Sequence, residues 1–234
     1  MQIVSFELDG DVAVLTMDDG KANALSPSMI AQLNEALDRA EREAKAVLLT
    51  GREGKLCAGF DLKVVASGPD AAVALFRDGA ELLMRMYAHP QPLVVAATGH
   101  AIAGGALLLG VADRRIGMNG PFKIGLNEVS IGMPLPIFAY ELARARLAPT
   151  HLYDATLAAT LYDPEAAVQV GWLDRTADAS ELPQVAHREA ARLAKLPAGP
   201  YALTKRGMRG ALISHIGETL EGDLDKLARG LVIG

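Results

Sequence analysis

Three stretches of the 234-residue chain combine residue types that could do chemistry. In Ile124-Gly125-Leu126-Asn127-Glu128-Val129-Ser130-Ile131-Gly132-Met133-Pro134, one carboxylate, Glu128, stands among Ile, Leu, Val and Met. A carboxylate withdrawn from water by such neighbours keeps its proton to higher pH and becomes a stronger base near neutrality. The plainer reading of Glu128 is an exposed glutamate at a helix start. In Leu56-Cys57-Ala58-Gly59-Phe60-Asp61-Leu62-Lys63, Gly59 permits a tight turn and Asp61 suits the cap of a short helix. Such a turn can leave the Phe60 N–H unpaired and facing a cleft, or it is an ordinary strand-to-helix loop. In Thr98-Gly99-His100-Ala101-Ile102-Ala103-Gly104-Gly105-Ala106, two glycines open an apolar helix. Free N–H groups at the positive end of a helix dipole stabilise an anionic oxygen. Alternatively, those glycines only let the helix pack close to a strand. No Gly-x-Gly-x-x-Gly or Walker pattern is present, so a nucleotide phosphate is not the obvious anion.

The surrounding pattern indicates the elements that must position these residues. Residues 3–8 and 12–17 alternate as two strands joined by Asp9-Gly10, a hairpin signal. Ser26-Pro27 pairs an N-cap with proline at the first helical position, and the helix should run to about Glu43 with Met29, Ile30, Leu33 and Leu37 on one face. Strands are expected at 46–50, 93–97, 114–118 and 122–124, and helices at 70–88 and 104–111. From about Pro134 the pattern is mostly helical, interrupted by prolines. The first half therefore alternates strand and helix, and the second half is helical.

Composition narrows the function class. Half of the residues are hydrophobic but only 5% are aromatic, so the core must rest on Ala, Val, Leu and Ile. A net charge of −5 with scattered charges argues against a nucleic-acid surface. A single cysteine, Cys57, excludes an intrachain disulfide and a multi-thiolate zinc site. The longest apolar stretch, 101–112, is too short and too glycine-rich to span a bilayer, and no signal peptide is apparent, so a cytoplasmic protein is expected.

Taken in order and spacing, Asn23-Ala24-Leu25, the turn at 57–63, the glycine segment 99–105 and the segment 125–134 resemble the crotonase (enoyl-CoA hydratase/isomerase) superfamily. The resemblance covers residue 4 to about residue 227. It implies an α/β fold: a crotonase-type spiral of repeated ββα units over 1–190, followed by a helical C-terminal trimerisation region over 191–234. Relatives usually add a further C-terminal helix, so that region is expected to be shorter than usual. The resemblance also implies a homotrimer or dimer of trimers, a CoA thioester as substrate and no separate cofactor. The thioester oxygen would lie between the N–H groups of Phe60 and Gly104, with Glu128 as the base. Lys21, Ala22, Ala58 and Lys63 match positions near the CoA moiety in relatives.

The superfamily hosts several reactions, and fold alone does not choose among them. Enoyl-CoA hydratases use two glutamates around a water. The second aligns with Glu128, whereas the first falls at Leu107, which can neither orient water nor move a proton. A 3,2-enoyl-CoA isomerase needs one base, which removes the proton α to the thioester and returns it at the γ carbon. Isomerisation is therefore the favoured expectation; hydration and a non-catalytic acyl-CoA-binding subunit are the alternatives. His89, His100 and Cys57 are read as structural, Asp113-Arg114 as a structural pair at a helix end, Glu141 and Arg144 as part of one helix face or a subunit contact, and Met133-Pro134 as shaping an acyl pocket.

Overall fold

The computed structural model describes the backbone of residues 1–233 and the side chains of residues 1–229. Strands β1 (Val4–Asp9) and β2 (Val12–Met17) form the expected hairpin, with Asp9 opposite Val12. Helix α1 (Pro27–Glu43) starts where Ser26 Oγ accepts the Met29 N–H at 3.2 Å. A side-chain cap of this kind stabilises a helix by about 1 kcal/mol. Met29, Ile30, Leu33 and Leu37 are all buried.

Three ββα turns follow. β3 (Ala46–Gly51) and β4 (Gly54–Cys57) lead into α2 (Leu62–Val65) and α3 (Pro69–Ala88). β5 (Leu93–Ala97) and β6 (Gly99–Ile102) lead into α4 (Gly104–Val111), and β7 (Arg114–Met118) and β8 (Ile124–Gly125) lead into α5 (Ile137–Arg146). The remainder is α6 (Leu152–Thr156), α7 (Pro164–Val170), β9 (Arg175–Ala177), α8 (Leu182–Leu193) and α9 (Ala198–Ile233). The first strand of each pair joins a six-stranded sheet, β1-β2-β3-β5-β7-β9; the second joins a three-stranded sheet, β4-β6-β8. All pairings except β1–β2 are parallel. The chain thus climbs as a ββα spiral, the expected architecture.

Both faces of the large sheet are covered, so its central strands are continuously apolar. On β3, Val47 and Leu49 enter the main core, while Ala46 and Leu48 face α8. On β5, Leu93, Val95 and Ala97 enter the main core, with Val94 and Ala96 on the α8 side.

Several expected elements move. Residues 54–57 and 99–102, read as loop and glycine turn, are β4 and β6, and the strand placed at 122–124 is β8. Four-residue strands paired only with distant segments show too little alternation to register as strands. β9 lies in the stretch read as helical, and the boundary drawn at 190/191 falls inside α8. The tail itself is one helix of 36 residues. Asp113 and Arg114 do not pair with each other. Asp113 accepts the Leu93 N–H at 2.7 Å, Lys205 Nζ at 2.6 Å and Arg209 Nη2 at 2.7 Å, while Arg114 Nε reaches Glu189 at 3.2 Å. No helix among the described residues is long and apolar enough to cross a membrane.

The small sheet depends on close backbone approach. A Cβ on Gly105 would sit 2.1 Å from the Cys57 carbonyl oxygen, whereas one on Gly110 of the same helix meets nothing nearer than 3.7 Å. Gly105→Ala should therefore cost roughly 1–3 kcal/mol or more by overpacking. Gly110→Ala should be neutral or stabilising by about 0.5–1 kcal/mol through helix propensity. Urea unfolding midpoints of the two variants check this, and equal shifts would contradict the packing described.

Candidate active site

The turn at 57–63 is held by the loop before α1. The Leu25 N–H donates to the Gly59 carbonyl at 2.8 Å, and the Asp61 N–H donates to the Leu25 carbonyl at 3.2 Å. Alternate residues of an extended segment direct their polar groups to opposite sides. With Gly59 and Asp61 turned toward Leu25, Phe60 turns its own N–H away from it. Gly59 has φ 100°, which glycine alone adopts cheaply, and Asp61 Oδ1 caps α2 by accepting the Lys63 N–H at 2.9 Å. Among the described residues, the Phe60 N–H has no protein acceptor.

A second turn meets it. Ala103 lies at φ 54°, ψ −119°, its N–H donating to the Gly125 carbonyl at 2.9 Å. Its own carbonyl accepts the N–H groups of Ala106 and Leu107 at 2.9 and 3.1 Å. Gly104, the first residue of α4, is left without an acceptor for its N–H among the described residues. The two turns touch: a Cβ on Gly104 would lie 3.3 Å from Gly59 Cα, and one on Gly59 would lie 3.5 Å from the Gly104 nitrogen. The Phe60 and Gly104 amides thus belong to abutting backbones.

Phe60, Ala103 and Glu128 line one cavity of about 100 Å³, together with Ala58, Leu107 and Asn127. Glu128 follows β8 and precedes a single 3-10 turn, Val129–Ile131, closed by Gly132 in the left-handed conformation. Its carbonyl accepts the N–H groups of Ile131 and Met133 at 3.1 and 2.9 Å, fixing the side chain at the cavity wall. Glu128 is only 9% exposed, and its Oε2 has no hydrogen-bond partner among the described residues. Burial raises its pKa above the ordinary carboxylate range, with nearby backbone N–H groups opposing the shift in part. Glu128 is the only ionisable side chain lining the cavity among the described residues.

The remaining expected site residues divide. Ala58 lines the cavity, and its N–H donates to the Ala22 carbonyl at 3.0 Å, which brings the 21–25 loop alongside. Lys21 and Lys63 are exposed and outside the cavity lining, Lys21 with its carbonyl accepting from Arg52 at 2.6 Å. His89 ends α3 and is buried, and the half-buried His100 accepts the Lys123 N–H at 3.0 Å, so both are structural. Burial pushes the Cys57 thiol up to about 12, which leaves it inert.

Sequence reasoning missed how Asn23 works. Fully buried at φ 52°, it donates from Nδ2 to the carbonyls of Met17 and Leu56 at 2.9 and 3.2 Å, and its Oδ1 accepts the Asp19 N–H at 2.9 Å. It fastens the loop that holds the Phe60 turn. An Asn before a helix cap was the available signal, since Asn tolerates positive φ. Also missed was Leu227 of α9, which completes the cavity wall alongside Phe76 of α3 and Phe138 of α5.

The fold has counterparts in known proteins. The family model described as enoyl-CoA hydratase/isomerase matches residues 7–228. A putative enoyl-CoA hydratase of Thermus thermophilus is 32% identical over 203 residues, covering 84% of this chain and 79% of that protein. The crystal structure of a probable enoyl-CoA hydratase from Mycobacterium tuberculosis matches with a TM-score of 0.94 at 36% identity, over 100% of both chains. Human mitochondrial delta3-delta2-enoyl-CoA isomerase matches with a TM-score of 0.92 at 27% identity, covering 99% of this chain and 96% of that one.

The raised pKa of Glu128 has a thermodynamic consequence. Between the unfolded-state value near 4.3 and the higher folded value, the folded protein binds more protons than the unfolded chain. The contribution is fully present below the unfolded pKa and is lost as pH rises through the folded one. Glu128→Gln should remove that loss and leave the variant more stable than the parent at neutral pH. Denaturation at pH 4 and pH 8 measures it; a variant less stable at pH 8 would contradict the burial described.

Proposed function

The chain belongs to the enoyl-CoA hydratase/isomerase family, and from that premise we propose that this enzyme is a 3,2-enoyl-CoA isomerase with Glu128 as its one catalytic base. The carrying observation is a carboxylate that stands alone, among the described residues, in an apolar cavity beside the Phe60 and Gly104 N–H groups, for which those residues offer no acceptor. The ionised Glu128 removes a proton from the carbon α to the thioester of a 3-enoyl-CoA. Negative charge moves to the thioester oxygen, where the Phe60 and Gly104 N–H groups receive it. Each such donor contributes roughly 3–4 kcal/mol to the transition state. The protonated Glu128 then returns the proton at the γ carbon, giving the 2-enoyl-CoA and regenerating the base.

Leu107 supports this reading over hydration. It lines the cavity and is 1% exposed, on the first turns of α4. Hydration by two cooperating carboxylates would need an acid there. Of the relatives, the human protein carries an isomerase name and the Thermus protein a hydratase name, so the cavity's own chemistry carries the choice. For the CoA portion, Ala22 and Ala58 form a bonded edge at the cavity, and the exposed Lys21 and Lys63 supply positive charge for the CoA phosphates. Assembly as a homotrimer or dimer of trimers belongs to the same proposal. Exposed Tyr153, Leu157 and Met208 supply apolar surface for it.

The test is a side-by-side assay of 3-enoyl-CoA and 2-enoyl-CoA substrates, with double-bond position and water addition read by mass spectrometry. Isomerisation should exceed hydration, and hydration exceeding isomerisation would reject the proposal. Glu128→Gln should lower isomerisation by roughly 10²–10⁴-fold, the usual contribution of a positioned base. The parent's rate should rise with pH along an acid limb lying above the ordinary glutamate range. A limb at an ordinary carboxylate pKa would assign the base elsewhere.

A further inference from the structure

The cavity that holds Glu128 is small and closed by a residue far away in sequence. Its volume is about 100 Å³. For scale, an apolar cavity of about 150 Å³ accommodates benzene. Three rings crowd the space: Phe60 stands edge-on to Phe76 at 5.1 Å and to Phe138 at 6.5 Å between centroids. The wall is completed by Leu227 of α9, 6% exposed, which clusters with Ala72 and Phe76 of α3 and with Leu224.

This stretch of α9 is fastened rather than loosely draped. Arg77 of α3 donates from Nε and Nη2 to the two carboxylate oxygens of Glu221, both at 2.8 Å. Asp223 Oδ2 accepts the N–H of Ile137 at the start of α5, at 2.6 Å. Leu227 is thereby held between two helices that also contribute Phe76 and Phe138 to the cavity.

We propose that the substrate is a short-chain enoyl-CoA, with an acyl group of about four carbons, and that Leu227 packed on Phe76 sets the upper length limit. This rests on the reading of the cavity as the acyl site of an isomerase. Each methylene beyond the capacity of an apolar pocket changes discrimination by roughly 10–200-fold, so the limit should be sharp. Removing the Leu227 side chain opens the wall toward Leu224 and α3 and moves the limit to longer chains.

Two ligand series separate this inference from the isomerase assignment. Saturated acyl-CoAs of four to twelve carbons, titrated by calorimetry, report binding alone; 3-enoyl-CoAs of the same lengths report turnover. The parent should bind and turn over the shortest members best, with loss of roughly ten-fold or more for each methylene beyond the limit. Leu227→Ala should shift both optima to longer chains. Leu227→Val, which removes one methylene, should shift them the same way by less and covers the case in which the alanine variant does not fold. Equal handling of four- and ten-carbon chains by the parent, or unmoved optima in the variants, overturns the inference and leaves the isomerase reading intact. A short-chain binding optimum that moves in the variants without double-bond shift at any length upholds the length limit and rejects the isomerase reading.

Discussion

The candidate active site depends on a contact between two stretches of main chain, 57–60 and 103–105, at a separation where a Cβ on Gly105 would meet the Cys57 carbonyl oxygen at 2.1 Å and one on Gly59 would meet the Ala103 Cβ at 2.9 Å. Each stretch reaches the contact through a residue at positive φ, Gly59 in one and Ala103 in the other. Each has also committed its neighbouring polar groups elsewhere, to Leu25 on one side and to Gly125 and the first turn of α4 on the other. Among the described residues, the N–H groups of Phe60 on one side and of Gly104 on the other are left without acceptors. For Ala103 the conformation costs of order 1–3 kcal/mol, and a buried unpaired N–H costs about as much again. Such expenses persist only where surrounding structure over-determines them. Here the small sheet does so, because β4, β6 and β8 bring the residues preceding both turns into parallel register.

That arrangement explains what was legible in the sequence. Ser26-Pro27, the 104–111 helix and the 93–97 strand announce themselves through caps and runs whose period matches one element. The spiral and the order of its chemical segments were accessible through resemblance. The small sheet was not, because two- to four-residue strands carry no measurable periodicity, and their pairing is settled by segments some forty residues apart, as with Gly54 and Gly99. The juxtaposition of Phe60 and Gly104 follows from that sheet. It could be inferred from relatives but not from either turn alone. Asn23 shows the same limit: in the sequence it stood only as part of the Asn23-Ala24-Leu25 motif, whereas its four hydrogen bonds to Met17, Leu56 and Asp19 are a property of the folded chain.

Glu128 illustrates how stability and chemistry oppose each other within this frame. A carboxylate with one oxygen lacking any partner, among Leu107, Ile131 and Pro136, is poorly solvated when charged. The same poor solvation makes it eager for a proton when ionised. Hydrogen bonding Oε2 to a side chain would relieve the folding penalty and weaken the base together. The structure instead fixes Glu128 through its main chain, by the carbonyl that closes the 129–131 turn, and leaves Oε2 without a partner among the described residues.

The C-terminal helix couples an ionic latch to the apolar wall. Lys205 and Arg209 converge on Asp113, which also receives the Leu93 N–H, so α9 is registered against the end of α4 and the start of β5. Buried ion pairs of this sort add little net stability but specify geometry, because any shift strands a charge in low dielectric. From Lys205 to Leu227 the helix rises about 33 Å in roughly six turns, so the latch and the cavity residue lie nearly on one face. Ile216 and Leu220 fall on the same stripe and pack into the core between them. A slip of one residue would rotate that stripe by about 100°, break both bonds to Asp113 and carry Leu227 away from Phe76. The charge cluster at one end of α9 therefore dictates which side chain closes the cavity at the other, and neither end identifies the other in the linear sequence.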